Sequence, residues 1–123
     1  MPASTTLHEA AEALSAKTIE LHRAIVSLIE ELEAVDWYNQ RSEACKDAQL
    51  QSVLRHNRDE EIEHATMTLE WIRRNFAKFD ETLKLYLFTK GDITAIEEKE
   101  TDSKQHSADL RLTVGEMKGR QDG

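Results

Sequence analysis

His56-Asn57-Arg58-Asp59-Glu60-Glu61-Ile62-Glu63-His64 interrupts an otherwise apolar helical stripe, and the way its polar residues are satisfied decides the fold. The stripe runs Leu50, Leu54, Asn57, Glu61, His64 and Thr68, in steps of four, three, four, three and four. That period places all six residues on one face of an α-helix. Upstream, Ala24, Leu28, Glu31, Val35 and Tyr38 trace a matching stripe with a carboxylate between Leu28 and Val35. A buried carboxylate without a partner is costly, so Glu31, Glu61 and His64 each need a hydrogen-bonding group or a cation.

Nothing breaks a helix across residues 3–90, because the lone proline is Pro2 and the four glycines, Gly91, Gly115, Gly119 and Gly123, all lie later. Thr6 followed by Glu9 fits a capping box. With the periodic residues Leu14, Leu21, Ala24, Ile25, Leu28, Leu32 and Val35, this predicts a first helix over 7–39. The polar segment Asn39–Lys46 predicts a loop, and Asp47 is placed to cap a second helix over 48–76. A third apolar segment with Leu83, Leu85, Tyr86, Leu87 and Phe88 predicts a short continuation that stops near Gly91. The expectation is all-α: an antiparallel hairpin with a short third helix.

Glu61 and His64 stand three apart, so both project from one helix face and can reach one ion, the Glu-x-x-His element of carboxylate-bridged di-iron bundles. Taken alone, the spacing also fits a solvated acidic face. Glu31 adds weight, because the midpoint of positions 31 and 61 falls in the expected loop, which levels the two carboxylates across a hairpin. Carboxylates with one imidazole per ion suit iron or manganese better than the thiolate-rich sets of structural zinc. Such bundles take Glu from two helices and Glu-x-x-His from two more, so this chain carries half a set and needs a second copy to complete a four-helix bundle. Subunit association and metal binding are then coupled. The imidazole must be neutral at its ligating nitrogen, so binding is expected to weaken below about pH 6, given an ordinary histidine pKa near 6.5.

The remaining composition excludes several classes. At 123 residues the chain suits one small core, and its net charge of -8 argues against nucleic acid or an anionic membrane as partner. No stretch approaches the ~20 apolar residues needed to span a bilayer, and the N-terminus lacks a basic start followed by an apolar run. The expected location is the cytoplasm. Cys45 stands alone in a polar segment and is read as a free thiol without a chemical role, while His8, His22, His56 and His106 have no comparable constellation. Past residue 97 the composition is too polar to offset the entropy of ordering, which predicts a disordered linker over 98–109 after a helical domain over 1–97. In the segment 110–123, Leu110, Leu112 and Val114 alternate with polar residues, the spacing of an extended docking peptide.

Most of residues 17–97 resemble the encapsulated ferritins, small ferritin-like proteins carried as cargo inside bacterial encapsulin shells. The resemblance is carried by His22-Arg23-Ala24-Ile25-Val26-Ser27, Glu30-Glu31-Leu32-Glu33-Ala34-Val35-Asp36-Trp37-Tyr38, His56-Asn57-Arg58-Asp59-Glu60-Glu61 with His64, and Met67-Thr68-Leu69-Glu70-Trp71. Leu112-Thr113-Val114-Gly115 is similar to the targeting peptide of such cargo, while Glu116-Met117-Lys118 departs from its Leu-rich ending. The resemblance implies a half-ferritin that oxidises Fe(II) at a dimer interface, assembles as a ring of five dimers, a decamer, and feeds iron storage within the shell. It also implies iron ligation by Glu31, Glu61 and His64, an outer metal site at Glu30 and Glu33, gating by Trp37, and a place beside the site for Tyr38. Two other readings stay open: a non-catalytic adaptor whose inward Glu and His form a hydrogen-bonded network, and a di-iron oxidase acting on an organic or peroxide substrate. The oxidase would need an apolar access pocket that a short hairpin has little material to line.

Overall fold

A computed structural model of the protein describes residues 5–97, and all its regular structure there is helical. The expected linker over 98–109 and targeting segment over 110–123 lie outside the described residues. The chain divides into two compact units, Met1–Asp80 and Glu81–Gly123.

In the first unit, α1 (Ala16–Ala44) and α2 (Ala48–Asn75) form the antiparallel hairpin, and α3 (Ala77–Tyr86) begins after a break at Phe76. The start of α1 differs from the expectation. Thr6 and Glu9 precede the helix; a 3-10 turn covers Ala11–Ala13, and Ser15 is the cap, its Oγ accepting from the Thr18 N–H at 3.1 Å. The Ser15 cap has no acidic residue in the first helical turn to advertise it.

The other end of α1 also differs, because the polar segment expected to loop out stays helical to Ala44. Ser42 is the reason. The residue is 2% exposed, and its hydroxyl donates to the Asn39 carbonyl at 2.9 Å, so this polar residue packs inward. The loop shrinks to Cys45–Asp47. Asp47 caps α2 by accepting from the Leu50 N–H at 2.8 Å, and Gln51 Nε2 donates back to the Ser42 carbonyl at 2.7 Å, satisfying an acceptor in the last turn of α1.

Between the two helices the core is thin. Ala65 and Ile72 are the buried apolar residues among those described, and Ile72 is the one large side chain with no exposure. At Phe76 the backbone turns extended (φ -143, ψ 103), which ends α2, and the Phe79 and Asp80 N–H groups then bond to the Phe76 carbonyl to open α3. Phe76 and Phe79 meet edge to face with centroids 5.7 Å apart. The third helix therefore begins at Ala77, earlier than the apolar run Leu83–Phe88 suggests.

In the second unit the last turns of α3 end at Tyr86. Phe88 has a left-handed φ of 62° and Gly91 one of 89°; only at Gly91 is that conformation free of steric cost. Asp92 Oδ1 then accepts from Thr94 at its N–H (3.2 Å) and its hydroxyl (3.1 Å), and residues 93–97 are helical.

Candidate metal centre

Glu31 projects from the middle of α1, and Glu61 and His64 from the middle of α2. His64 Nδ1 lies 3.6 Å from Glu31 Oε2 and 3.5 Å from Glu61 Oε2, and each of the three offers a ligand atom within 4.8 Å of the others. Ligand atoms sharing one ion sit about 3 Å apart, from bonds of ~2.1 Å at right angles, so a cation needs only small side-chain shifts here. The side chains are half-buried, at 27%, 24% and 44% exposure for Glu31, Glu61 and His64. His64 is the most open, so the cluster sits at an edge of the hairpin interface.

Its electrostatics are those of a site short of positive charge. The neighbouring Glu61 carboxyl, through a hydrogen bond, holds Glu31 above the usual carboxylate range; burial and like-charge repulsion push the same way, and His64 pulls against them. A cation bound between the two carboxyls would offset that repulsion.

The other residues singled out by sequence are not brought into this cluster. Glu30, Glu33 and Trp37 are exposed, Trp37 at 50%. Their spacing of three and four residues puts them along one side of α1. Tyr38 is half-buried beneath the Arg41 guanidinium, 5.5 Å from its ring centre. Leu112, Thr113, Val114 and Gly115 lie outside the described residues.

Two polar arrangements had no sequence counterpart. Arg58, one turn before Glu61, donates from Nη1 to Asn39 Oδ1 on α1 at 3.0 Å while its Nε donates to Asp59 Oδ1 at 3.0 Å. At the far end of α2, Arg73 bridges Glu70 (2.7 Å) and Asp80, and Arg74 also binds Glu70 (2.7 Å), tying α2 to the first turn of α3. The hairpin spacing that levels Glu31 with Glu61 leaves Asn39 more than a turn from Arg58, a gap only a long side chain spans. Nothing in periodicity flags that.

The face around His64 is apolar as well as acidic. Val53, Asn57, Glu60, His64, Met67 and Trp71 follow one another in helical steps, and Val53, Met67 and Trp71 are 46%, 57% and 41% exposed. Across from them α1 presents Ala24 and Ser27, which with Met67, Thr68 and Trp71 line a shallow groove.

Residues 6–90 match the EncFtn-like family. An encapsulated ferritin-like protein of Rhodospirillum rubrum is 51% identical over 94% of this chain and 90% of its own length. A ferritin-like protein of Thermotoga maritima is 48% identical over 81% of this chain and 88% of its own. Among solved structures, the protein ne0167 from Nitrosomonas europaea is 60% identical with a TM-score of 0.68, covering 71% of this chain and 96% of that one. A helical hairpin with a carboxylate-imidazole cluster at its middle, matched over this span and at these identities, makes the chain a member of the EncFtn-like, encapsulated-ferritin family.

Proposed function

We propose that this ferritin-like protein is a ferroxidase whose di-iron site is shared by two copies of the chain. The observation that carries the reading is the cluster itself: Glu31, Glu61 and His64 offer one ligand atom each within 4.8 Å of one another, and this is half of a di-iron ligand set. Two hairpins related by a twofold axis supply four carboxylates and two imidazoles, and the four negative charges balance two Fe(II) ions. The exposed apolar stripe beside His64 supports the twofold contact, since large apolar side chains left open around a half-buried acidic site fit a partner surface.

Fe(II) is the substrate. Two ions give up one electron each, and one dioxygen takes both electrons with two protons and leaves as hydrogen peroxide. The chain contributes charge and geometry: Glu31 and Glu61 offer carboxylate oxygens to the cations, and His64 ligates through Nδ1. Leu32 and Ile62, one position further round each helix and 54% and 46% exposed, leave a second apolar face for assembly beyond the dimer, in keeping with a ring of five dimers.

In the same reading residues 1–97 act as the helical domain, 98–109 as a linker, and 110–123 as the segment that docks to an encapsulin shell through Leu112, Thr113, Val114 and Gly115. The name of the Rhodospirillum relative supports encapsulation, and with it a place in the bacterial cytoplasm inside that shell, where ferric mineral accumulates. By family resemblance, Glu30 and Glu33 act as an outer site that draws in metal and Trp37 as its gate, while Tyr38, which resemblance assigned a place near the centre, packs under Arg41 two turns along α1 from Glu31.

Anaerobic Fe(II) loading followed by air, with iron stoichiometry and native mass recorded together, tests this. The parent is expected to bind about one iron per chain in the dimer or larger species, and Glu61→Ala to abolish binding and oxidation. A monomer that binds iron equally well, or a Glu61→Ala protein that oxidises iron normally, leaves the non-catalytic adaptor as the better account.

A further inference from the structure

We infer that Arg58 is a positioning residue for the Glu31–Glu61–His64 cluster, acting as a lock on the sliding of α2 along α1; this rests on the ferroxidase reading above. Glu31 and the pair Glu61 and His64 come from different helices, so their convergence depends on register. Each residue of slippage moves one helix ~1.5 Å along the other, half the separation of two ligand atoms on a single ion.

On the loop side of the cluster, Gln51 and Arg58 tie α2 to α1, and they do different work. Gln51 reaches the Ser42 carbonyl almost directly across at the turn, which holds the helix ends together. Arg58 reaches diagonally. Its Cα stands one turn from Glu61, whereas its acceptor Asn39 lies two turns beyond Glu31 toward the loop. A transverse tie resists separation; a diagonal one resists sliding as well.

The guanidinium suits this task because it is held at two points. Asp59 Oδ1 accepts from Nε at 3.0 Å and lies 3.0 Å from Nη2, fixing the plane, and Nη1 is left aimed at Asn39 Oδ1. The side chain is 28% exposed, so much of its stem is packed against the protein and less rotamer entropy is lost in keeping it there. At ~100° per residue, Arg58 and Asn39 fall on the interface edge opposite His64, so the tie leaves the metal-facing edge open.

The sign of the effect separates this role from a simple charge effect. Removing a positive charge near an acidic cation site favours cation binding by Coulomb's law. Losing a register lock weakens it.

The test uses the full chain and Co(II) under anaerobic conditions, read by visible absorption, for the parent, Arg58→Met, Asn39→Ala, the double variant, Gln51→Ala and Glu61→Ala. Arg58→Met and Asn39→Ala are each expected to weaken Co(II) binding about tenfold and to shift its absorption bands, the double variant to lose no more than Arg58→Met, and helical content to stay unchanged. Gln51→Ala is expected to lower thermal stability while leaving the bands in place. Equal or tighter Co(II) binding by Arg58→Met, or additive losses in the double variant, overturns the inference, and if Arg58→Met does not fold, Asn39→Ala decides by the same criterion. An unchanged Arg58→Met beside a Glu61→Ala that binds nothing defeats the lock alone; a parent that holds no Co(II) defeats the shared-site reading with it.

Discussion

Two charge clusters sit on α2 about two turns apart, and they are built on opposite plans. At the elbow, Glu70 faces Arg73 and Arg74, whose hydrogen bonds hold its carboxyl down at about 2, and Arg73 is in turn held more firmly protonated by Glu70 and Asp80. At the helix middle, Glu31 faces Glu61, and its carboxyl is raised by that neighbour. One cluster already contains its cations and serves to join α2 to α3. The other lacks them, so its carboxylates carry a repulsion that an added cation relieves. The same residue type is thus structural in one place and receptive in the other, according to what charge stands within hydrogen-bonding reach.

Acid should separate the two most. Protons compete with Fe(II) or Co(II) for the raised Glu31 carboxyl, so affinity is expected to fall as pH drops from 7 toward 5, measured by titration at fixed ionic strength. For the elbow the sign and window differ. Glu70 has a depressed pKa, so its contribution is present above the ordinary carboxylate value and fades only as pH falls toward about 2. Should metal affinity prove flat between pH 7 and 5, the contrast between the clusters fails.

Neutralising one carboxyl in each cluster should move stability of the metal-free protein in opposite directions at pH 7. A raised Glu31 stabilises the fold when protonated, at low pH, and that contribution is lost as pH rises through the raised value. Glu31→Gln removes the repulsion and is expected to raise the metal-free Tm by about 2–4 °C, while abolishing tight metal binding. Glu70→Gln removes a partner from two arginines and is expected to lower Tm by about 1–3 °C with metal binding unchanged. The smallest effect is that of salt. Raising it toward 1 M, where the Debye length is ~3 Å, should weaken the half-exposed elbow pairs and relax the repulsion at the metal-free cluster. Across the two Gln variants the salt responses should therefore differ in sign.

The candidate site was legible in sequence because its residues break a pattern. Glu31, Glu61 and His64 occupy positions where the helical period calls for apolar side chains, and the midpoint of the hairpin brings them level. The fold was legible for the same periodic reason, including Asp47 as the cap of α2. The helix ends were less so: Thr6 and Glu9 matched a capping box but lie ahead of α1, whose cap is Ser15, and the polar run from Asn39 hid a helix that continues with Ser42 packed inward. Arg58 and Asn39 were invisible, since a diagonal contact between long side chains leaves no trace in spacing. The elbow was equally hidden, because Arg73 joins Glu70 to Asp80 across a break at Phe76 that no glycine or proline marks.

The thin core has a consequence for the life of the chain in a cell. With Ile72 as the one large side chain wholly out of water among the described residues, a solitary hairpin has little apolar burial to oppose opening, and its backbone is accessible to proteases for a correspondingly larger share of the time. Whatever covers the faces around Val53, Met67 and Trp71 also lengthens its half-life. In the shared-site reading, copies without a partner are expected to be cleared first, so that abundance would follow the supply of assembly partners as well as the rate of synthesis.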